Sequence, residues 1–295
     1  MEVLDQVVKD RYSIYNADCV QFAQSLPDES IDYSIYSPPF SSLYSYSNSD
    51  LDLGNSKSDD EFYEHFRYLV KEHYRTMKPG RLVSFHCMNL PTSKQNDGFI
   101  GIKDFRGEMI KLFQEEGFIY HSEVCIYKDP VVAMQRTKAL GLLHKTIRKD
   151  SSMSRNGIPD YLVTMRKPGE NKEYISHTHE DFPVELWQKI ASPIWMDINQ
   201  SDTLQFRHAR DDDDEKHIAP LQLEVIERAL MLWSNPDDVV FSPFLGIGSE
   251  GYQSIKQGRK FIGTELKPSY FQVAKKNLDK AVEENNQMDL FDLGV

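Results

Sequence analysis

The sequence is short of cysteine: 295 residues hold three, Cys19, Cys87 and Cys125, far apart and without a Cys-x-x-Cys pair. A disulfide-stapled scaffold and the usual zinc spacings are excluded, and the thiols read as buried or structural. Long apolar runs are also missing. No segment approaches the roughly 20 apolar residues needed to span a bilayer. Met1-Glu2-Val3-Leu4-Asp5 lacks the basic and apolar blocks of a signal peptide, so a cytoplasmic protein without membrane contact is expected. Positive charge is in deficit, 34 Lys and Arg against 46 Asp and Glu, for a net charge of −12. Indiscriminate coating of polyanions is thereby excluded, because phosphate contacts rely on Lys and Arg. His177 and His179 suit one strand face, but no Cys or Asp stands at a useful spacing. The run Asp211-Asp212-Asp213-Asp214-Glu215 reads as a solvated loop, and no metal is expected.

What is present is a globular composition, 40% apolar and 12% aromatic, long enough for one large α/β domain with an insertion or a small lobe. Tyr12–Ala17 reads as a short strand delivering Asp18 to a loop, followed by a helix over Cys19–Leu26. Ile31–Tyr36 is a buried strand stopped by Ser37-Pro38-Pro39-Phe40, where two prolines forbid further ladder bonds. A polar acceptor, a stiff carbonyl and a ring in sequence can grip a planar, amino-bearing molecule such as a nucleobase; the bland reading is a proline turn. The polar stretch 41–58 is a loop, placed to act as a lid. A helix over Asp59–Met77, a strand over Arg81–His86, a helix over Phe105–Glu116 and a strand over Phe118–Tyr127 follow. This alternation predicts a mostly parallel sheet covered on both faces.

Between Lys128 and Lys172, ten Lys and Arg stand against four Asp and Glu, with little periodicity beyond a strand at Tyr161–Met165. It reads as an irregular recognition lobe with Arg136, Lys138, Lys145, Arg148, Lys149 and Arg155 as candidate phosphate and base contacts. The segment carrying Trp187 and Trp195 has no assignable fold. Pro220–Trp233 is an amphipathic helix, Val239–Phe241 a strand, and Ser242–Gly251 a glycine-rich turn entering a helix. Lys260–Thr264 is a strand ending at Glu265, and a helix over Ser269–Glu283 closes the body. A strand, a Gly-x-Gly turn, a helix and a second strand ending in an acid is an arrangement that binds an adenosine cofactor.

Together, Ser37–Phe40, the Ser242–Gly251 turn and Glu265 resemble the amino-methylating DNA methyltransferases that modify N4 of cytosine or N6 of adenine. The tetrapeptide precedes the cofactor turn, which is the circularly permuted order of the β group of that family. The resemblance implies a Rossmann-like methyltransferase fold with an irregular target-recognition lobe and S-adenosylmethionine as cofactor. It divides the chain into a catalytic half over 11–130, a target-recognition region over 131–210, a cofactor-binding half over 211–284 and a tail over 285–295. By resemblance Phe244, Gly246 and Gly248 line the methionine end of the cofactor, Glu265 its ribose and Asp18 its adenine. The segment carrying His217 and Pro220 would approach its carboxylate. Ser242 departs from the aspartate the family commonly has there, which leaves the contact to the methionine ammonium group open.

The tetrapeptide suits the chemistry, because an exocyclic amino nitrogen delocalises its lone pair into the ring. Acceptors at the Ser37 side chain and the Pro38 carbonyl would let it pyramidalise toward a methyl donor, with Phe40 stacked on a flipped base. No Pro-Cys pair is present, which excludes C5-cytosine methylation. Ser at the first position goes mostly with N4-cytosine in this family, so cytosine is the expectation and N6-adenine the alternative. A glutamine-amide methyltransferase, a nucleotide-dependent oxidoreductase and an inactive DNA-binding relative are rival readings. Finally, Gln287-Met288-Asp289-Leu290-Phe291 resembles the peptide by which bacterial replication proteins dock on the β sliding clamp, with Gln287, Leu290 and Phe291 as contacts. DNA and that clamp are the expected partners, and a homodimer is compatible with the sequence.

Overall fold

Runs that are apolar on both faces become the centre of one sheet in the computed structural model. It describes residues 2–40, 56, 58–95, 97–137, 142–205 and 220–292, the side chains of 136–137 and 288–292 excepted. In chain order the strands are β1 (Val3–Val8), β2 (Tyr12–Ala17), β3 (Ile31–Tyr36), β4 (Met77–Met88), β5 (Leu90–Pro91), β6 (Ile102–Lys103), β7 (Ile119–Ile126), β8 (Asp160–Arg166), β9 (Ile194–Trp195), β10 (Val239–Ser242) and β11 (Lys260–Thr264). The helices are α1 (Cys19–Ser25), α2 (Asp59–Thr76), α3 (Phe105–Glu115), α4 (Pro130–Thr137), α5 (His144–Lys149), α6 (Val184–Ile190), α7 (Leu223–Trp233), α8 (Ser249–Lys256) and α9 (Pro268–Asp292).

Nine strands form the main sheet in the order β1-β2-β11-β10-β3-β4-β8-β7-β9. The five from β2 to β4 run parallel, whereas β1 pairs antiparallel with β2 and β8 antiparallel with both β4 and β7; β9 joins β7 in parallel. All six residues of β3 are buried, the polar Asp32 and Ser34 among them: Ser34 Oγ donates to the Phe241 carbonyl at 2.9 Å and Asp32 accepts from the Val239 amide at 2.9 Å. On one face α2 buries Phe62, Phe66, Leu69, Val70 and His73 at intervals of three and four. Its start is fixed by Ser58, whose side chain accepts from the Glu61 amide at 3.2 Å, with Asp59, Asp60 and Glu61 in the first turn. On the other face Val225, Ile226, Ala229 and Leu230 of α7 pack with Phe271, Ala274 and Leu278 of α9. Among the described residues no helix is long and apolar enough to cross a membrane.

Several expectations change. The first residues form an added edge strand, β1, paired with β2 from Val3 to Val8. Lys78-Pro79-Gly80, between the helix expected to end at Met77 and the strand expected to start at Arg81, lies inside β4, where a register shift against β3 accommodates it. The 131–210 region is not wholly irregular: it contributes α4, α5 and α6, and β8 is inserted between β4 and β7. Of the two unassigned tryptophans, Trp195 lies buried in β9, while Trp187 is half exposed on α6. The closing helix runs through Asp292, so the Gln287–Phe291 segment continues α9 instead of forming a separate tail. The 41–55 stretch and the Asp211–Glu215 run lie outside the described residues.

Candidate active site

The parallel strands converge their carboxyl ends on one rim, and each motif leaves the sheet there. β3 delivers Ser37, β10 the glycine turn, β11 Glu265 and β2 Asp18. These four strands are neighbours in the order β2-β11-β10-β3, with the chain returning on opposite sides of β10. Such a switch point is where open α/β sheets bind ligands.

The glycine turn is pinned from three sides. The Leu245 amide donates to the Thr264 carbonyl at 2.8 Å, and Thr264 Oγ1 donates to the Pro243 carbonyl at 2.8 Å. The Gly246 amide donates to Glu265 Oε2 at 2.8 Å, while Glu265 Oε1 accepts from the Lys267 amide at 2.8 Å. Glu265 thus ties the turn to the start of α9. Asn16 locks the adjoining rim, donating to the carbonyls of Glu265 at 2.6 Å and Leu266 at 2.9 Å. Asp18 caps α1, its Oδ1 accepting from the Gln21 amide at 2.8 Å.

Gly246 has φ +53, and a Cβ built on it would meet no atom of the described residues within 4 Å. That open space above a turn, flanked by a carboxylate, is what an adenosine cofactor requires, so the residues present fit S-adenosylmethionine. Gly248 differs, because its φ is +94 and a Cβ there would come to 2.6 Å from Leu278 Cδ1. It serves the packing of α8 on α9. Ser242, where the family commonly has aspartate, is fully buried, and its hydroxyl has no hydrogen-bond partner among the described residues. A carboxyl does occur nearby in the chain: Glu250, buried in the first turn of α8, is pushed up to about 8 by burial and by Glu265, and is largely protonated at neutral pH.

Ser37 and Phe40 are half-buried, Pro38 and Pro39 buried. Phe244 joins the two motifs, because its ring lies 5.6 Å from that of Tyr36, the residue before Ser37, and stacks on Phe66 at 6.1 Å. Phe40 meets Phe105 edge-on at 5.9 Å. Ser37 Oγ lies 3.2 Å from His86 Nδ1, and His86 Nε2 lies 3.2 Å from Asp160 Oδ2. Asp160 Oδ1 is in turn 2.5 Å from Lys128 Nζ. His86, Asp160 and Lys128 were not among the sequence candidates.

Of the remaining candidates, Pro220 is half-buried just before α7, and His217 lies outside the described residues. Lys145, Arg148 and Lys149 are exposed on α5, while Arg136 has a described backbone only and Lys138 lies outside. Arg155 is half-buried, its guanidinium donating to the Asn156 carbonyl at 3.0 Å, and burial lowers its pKa. The 127–159 segment leaves β7 at Ile126 and re-enters β8 at Asp160, residues paired at the rim beside Met88. Both ends of that segment therefore stand at the same end of the sheet as Ser37. Gln287 is exposed on α9, and the side chains of Leu290 and Phe291 lie outside the described set.

An open α/β sheet with a glycine turn, an acid-ended neighbouring strand and a Ser-Pro-Pro-Phe corner defines an amino-methyltransferase of the Rossmann-like class. A family model described as DNA methylase matches residues 31–276, and the chain belongs to that family, whose methyl donor is S-adenosylmethionine. It is 24% identical over 277 residues to the type II methyltransferase M.BglII of Bacillus subtilis, covering 92% of this chain and 70% of the relative. It is also 24% identical over 273 residues to the DNA adenine methyltransferase YhdJ of Escherichia coli K12, covering 91% and 83%. In fold it is similar to the cytosine-N4-specific PvuII DNA methyltransferase, with a TM-score of 0.67 at 17% identity over 97% of this chain and 96% of that one. A Thermus thermophilus protein assigned as a DNA modification methylase, solved with S-adenosyl-L-methionine, gives a TM-score of 0.69 at 21% identity over 92% and 94%.

Proposed function

We propose that this DNA methylase transfers the methyl group of S-adenosylmethionine to the exocyclic amino group of a base flipped out of DNA, with N4 of cytosine as the target. The observation that carries this reading is the junction of Ser37–Phe40 with the Phe244–Gly248 turn through Tyr36 on one rim. The cofactor, when bound, supplies an electrophilic methyl on sulfur. The chain supplies orientation: the Pro38 carbonyl and Ser37 hydroxyl accept the two amino hydrogens, and Phe40, braced by Phe105, lies against the base. Exposed Lys145, Arg148 and Lys149, in the segment that leaves and re-enters the sheet at that end, hold the DNA backbone.

Cytosine is favoured by the serine at position 37, since a hydroxyl stands where N6-adenine enzymes of the family mostly carry Asp or Asn. Incubation with labelled S-adenosylmethionine and unmodified DNA, followed by digestion to nucleosides and mass spectrometry, is expected to give N4-methylcytosine. N6-methyladenine would reverse the base and keep the chemistry. An unlabelled digest from protein that binds the cofactor would sink the reading.

Docking of Gln287–Phe291 on a sliding clamp belongs to the same proposal, supported by the motif itself and by the exposed Gln287. Because these residues continue α9, docking would require the last turns to unwind. Deleting residues 287–295 is expected to abolish co-elution with the clamp and to spare methylation of short duplexes. Clamp binding that survives the deletion would refute the docking role.

A further inference from the structure

A serine hydroxyl is a poorer acceptor than the carboxylate or amide it replaces, and its one hydrogen must point somewhere. Here the structure dictates where. Asp160, a buried carboxylate, lies 3.2 Å from His86 Nε2 without the alignment of a hydrogen bond, and its charge favours the imidazole hydrogen on that nitrogen, which leaves Nδ1 as an acceptor. The hydroxyl of Ser37, 3.2 Å from Nδ1, donates to it and keeps both lone pairs for a substrate amino group. We propose that His86, oriented by Asp160 and Lys128, is a positioning residue that fixes Ser37 as an acceptor and takes up the proton the methylated amino group must lose. The proposal rests on the amino-methylation reading above.

The step balances. As the amino nitrogen bonds the methyl carbon, the carbon–sulfur electron pair goes to sulfur and nitrogen becomes cationic with one hydrogen too many. That N–H bond breaks with its pair returning to nitrogen, the proton passes to Ser37 Oγ, and the original hydroxyl proton passes to His86 Nδ1. The imidazolium so formed faces the Asp160 carboxylate, and its proton leaves to water when the product departs. Asp160 can play this part because burial, which pushes its carboxyl up, is outweighed by an imidazolium at His86 together with Lys128, which hold it below the usual carboxylate range; the same attraction stabilises the imidazolium once the proton has arrived.

His86 is 8% exposed and Asp160 2%, so bulk water cannot readily replace the chain. Charged groups near this end of the strands include Lys128, across Asp160, and Arg106 of α3 paired with Glu123 of β7 at 2.8 Å. The thiols of Cys87 and Cys125 lie in the field of the same groups and are held protonated by burial. A hydrolytic Ser-His-Asp triad is disfavoured, because the two residues after Ser37 are prolines without an N–H to stabilise an oxyanion.

The test is a double-mutant cycle with pH profiles. His86→Asn is expected to lower kcat about 100-fold, to leave KM for DNA and the cofactor dissociation constant within about twofold, and to erase the acid limb of the kcat profile. In a Ser37→Ala background the same change should cost less than about threefold, since its only route to the substrate is gone. An equal cost in both backgrounds, or an acid limb that persists in His86→Asn, would overturn the proposal. Should His86→Asn not fold, Asp160→Asn serves: its amide can donate to Nε2, which places the imidazole hydrogen on Nδ1 and turns the Ser37 hydrogen toward the substrate. That variant should lose at least about 30-fold in kcat, and wild-type turnover in it would also overturn the proposal. Failure of the underlying reading looks different, because the wild-type protein would then label no amino group at all.

Discussion

Arg81→Met is expected to destabilise the protein by about 3–5 kcal/mol and to lower its melting temperature by roughly 10 °C. The Arg81 side chain is fully buried at the end of the sheet opposite the active site. It lies 3.3 Å from Asp32, 3.0 Å from Asp238 and 3.6 Å from Glu173, with Lys78 bridging Asp32 at 2.7 Å and Glu173 at 3.1 Å. Three carboxylates thus converge on two cations. Methionine fills the volume but leaves Asp238 without its partner in a site where water cannot substitute. Asp238 is already held above the usual carboxylate range, by burial first and also by Asp32, while the Asn235 amide and then Arg81 restrain that rise. Without Arg81 its folded-state pKa rises further, so stability is retained at acid pH and lost as pH rises through the folded value. The deficit against wild type should therefore be smaller at about pH 5 than at about pH 7.5, read by paired chemical denaturation. Equal deficits at both would mean that lost packing, not an uncompensated carboxylate, is responsible, and Asp238→Asn in the Arg81→Met background should then recover nothing.

That network was invisible in the sequence for the reason that His86 was. Strands rich in aromatic and β-branched residues and closed off by turn residues announce themselves, so β3 and β11 were legible to the residue, and Ser37, Glu265 and Asp18 followed because each stands where a legible strand stops. Contacts across the sheet carry no local signal. Ser37 and His86 are 49 positions apart, and nothing between them marks that β4 lies beside β3 in a register that brings the two rims level. Asp160 is more distant still. It looked like one of the few acids of a basic lobe because antiparallel pairing of β8 with β4, Met88 opposite Asp160, is a fact of topology and not of pattern. The edge strand β1 escaped for another reason: its burial is slight, with Leu4 and Val8 exposed, so no apolar period records it.

The glycine turn was legible as a motif, yet the sequence could not say that its two glycines answer to different demands. At Gly246 an added Cβ meets open space among the described residues, whereas at Gly248 it would meet Leu278 Cδ1 at 2.6 Å and the Ala274 Cα at 3.3 Å. Leu278 and Ala274 are themselves buried on α9, so neither can retreat without opening the interface with α8. Gly248→Ala should accordingly cost about 2–4 kcal/mol, from overpacking added to a left-handed backbone at φ +94. Gly246→Leu should cost only about 1–2 kcal/mol, for the left-handed backbone alone. Its side chain would instead project into the space between the turn and Glu265, lowering S-adenosylmethionine affinity at least about 30-fold, or about 2 kcal/mol. Thermal denaturation without ligand and calorimetric titration with the cofactor separate the two effects. A Gly246→Leu protein that binds the cofactor as tightly as wild type would place the cofactor elsewhere on the rim. Conversely, a Gly248→Ala protein of unaltered stability would show that α8 can move on α9, and the rigidity credited to the turn would have to come from Glu265 and Thr264 alone.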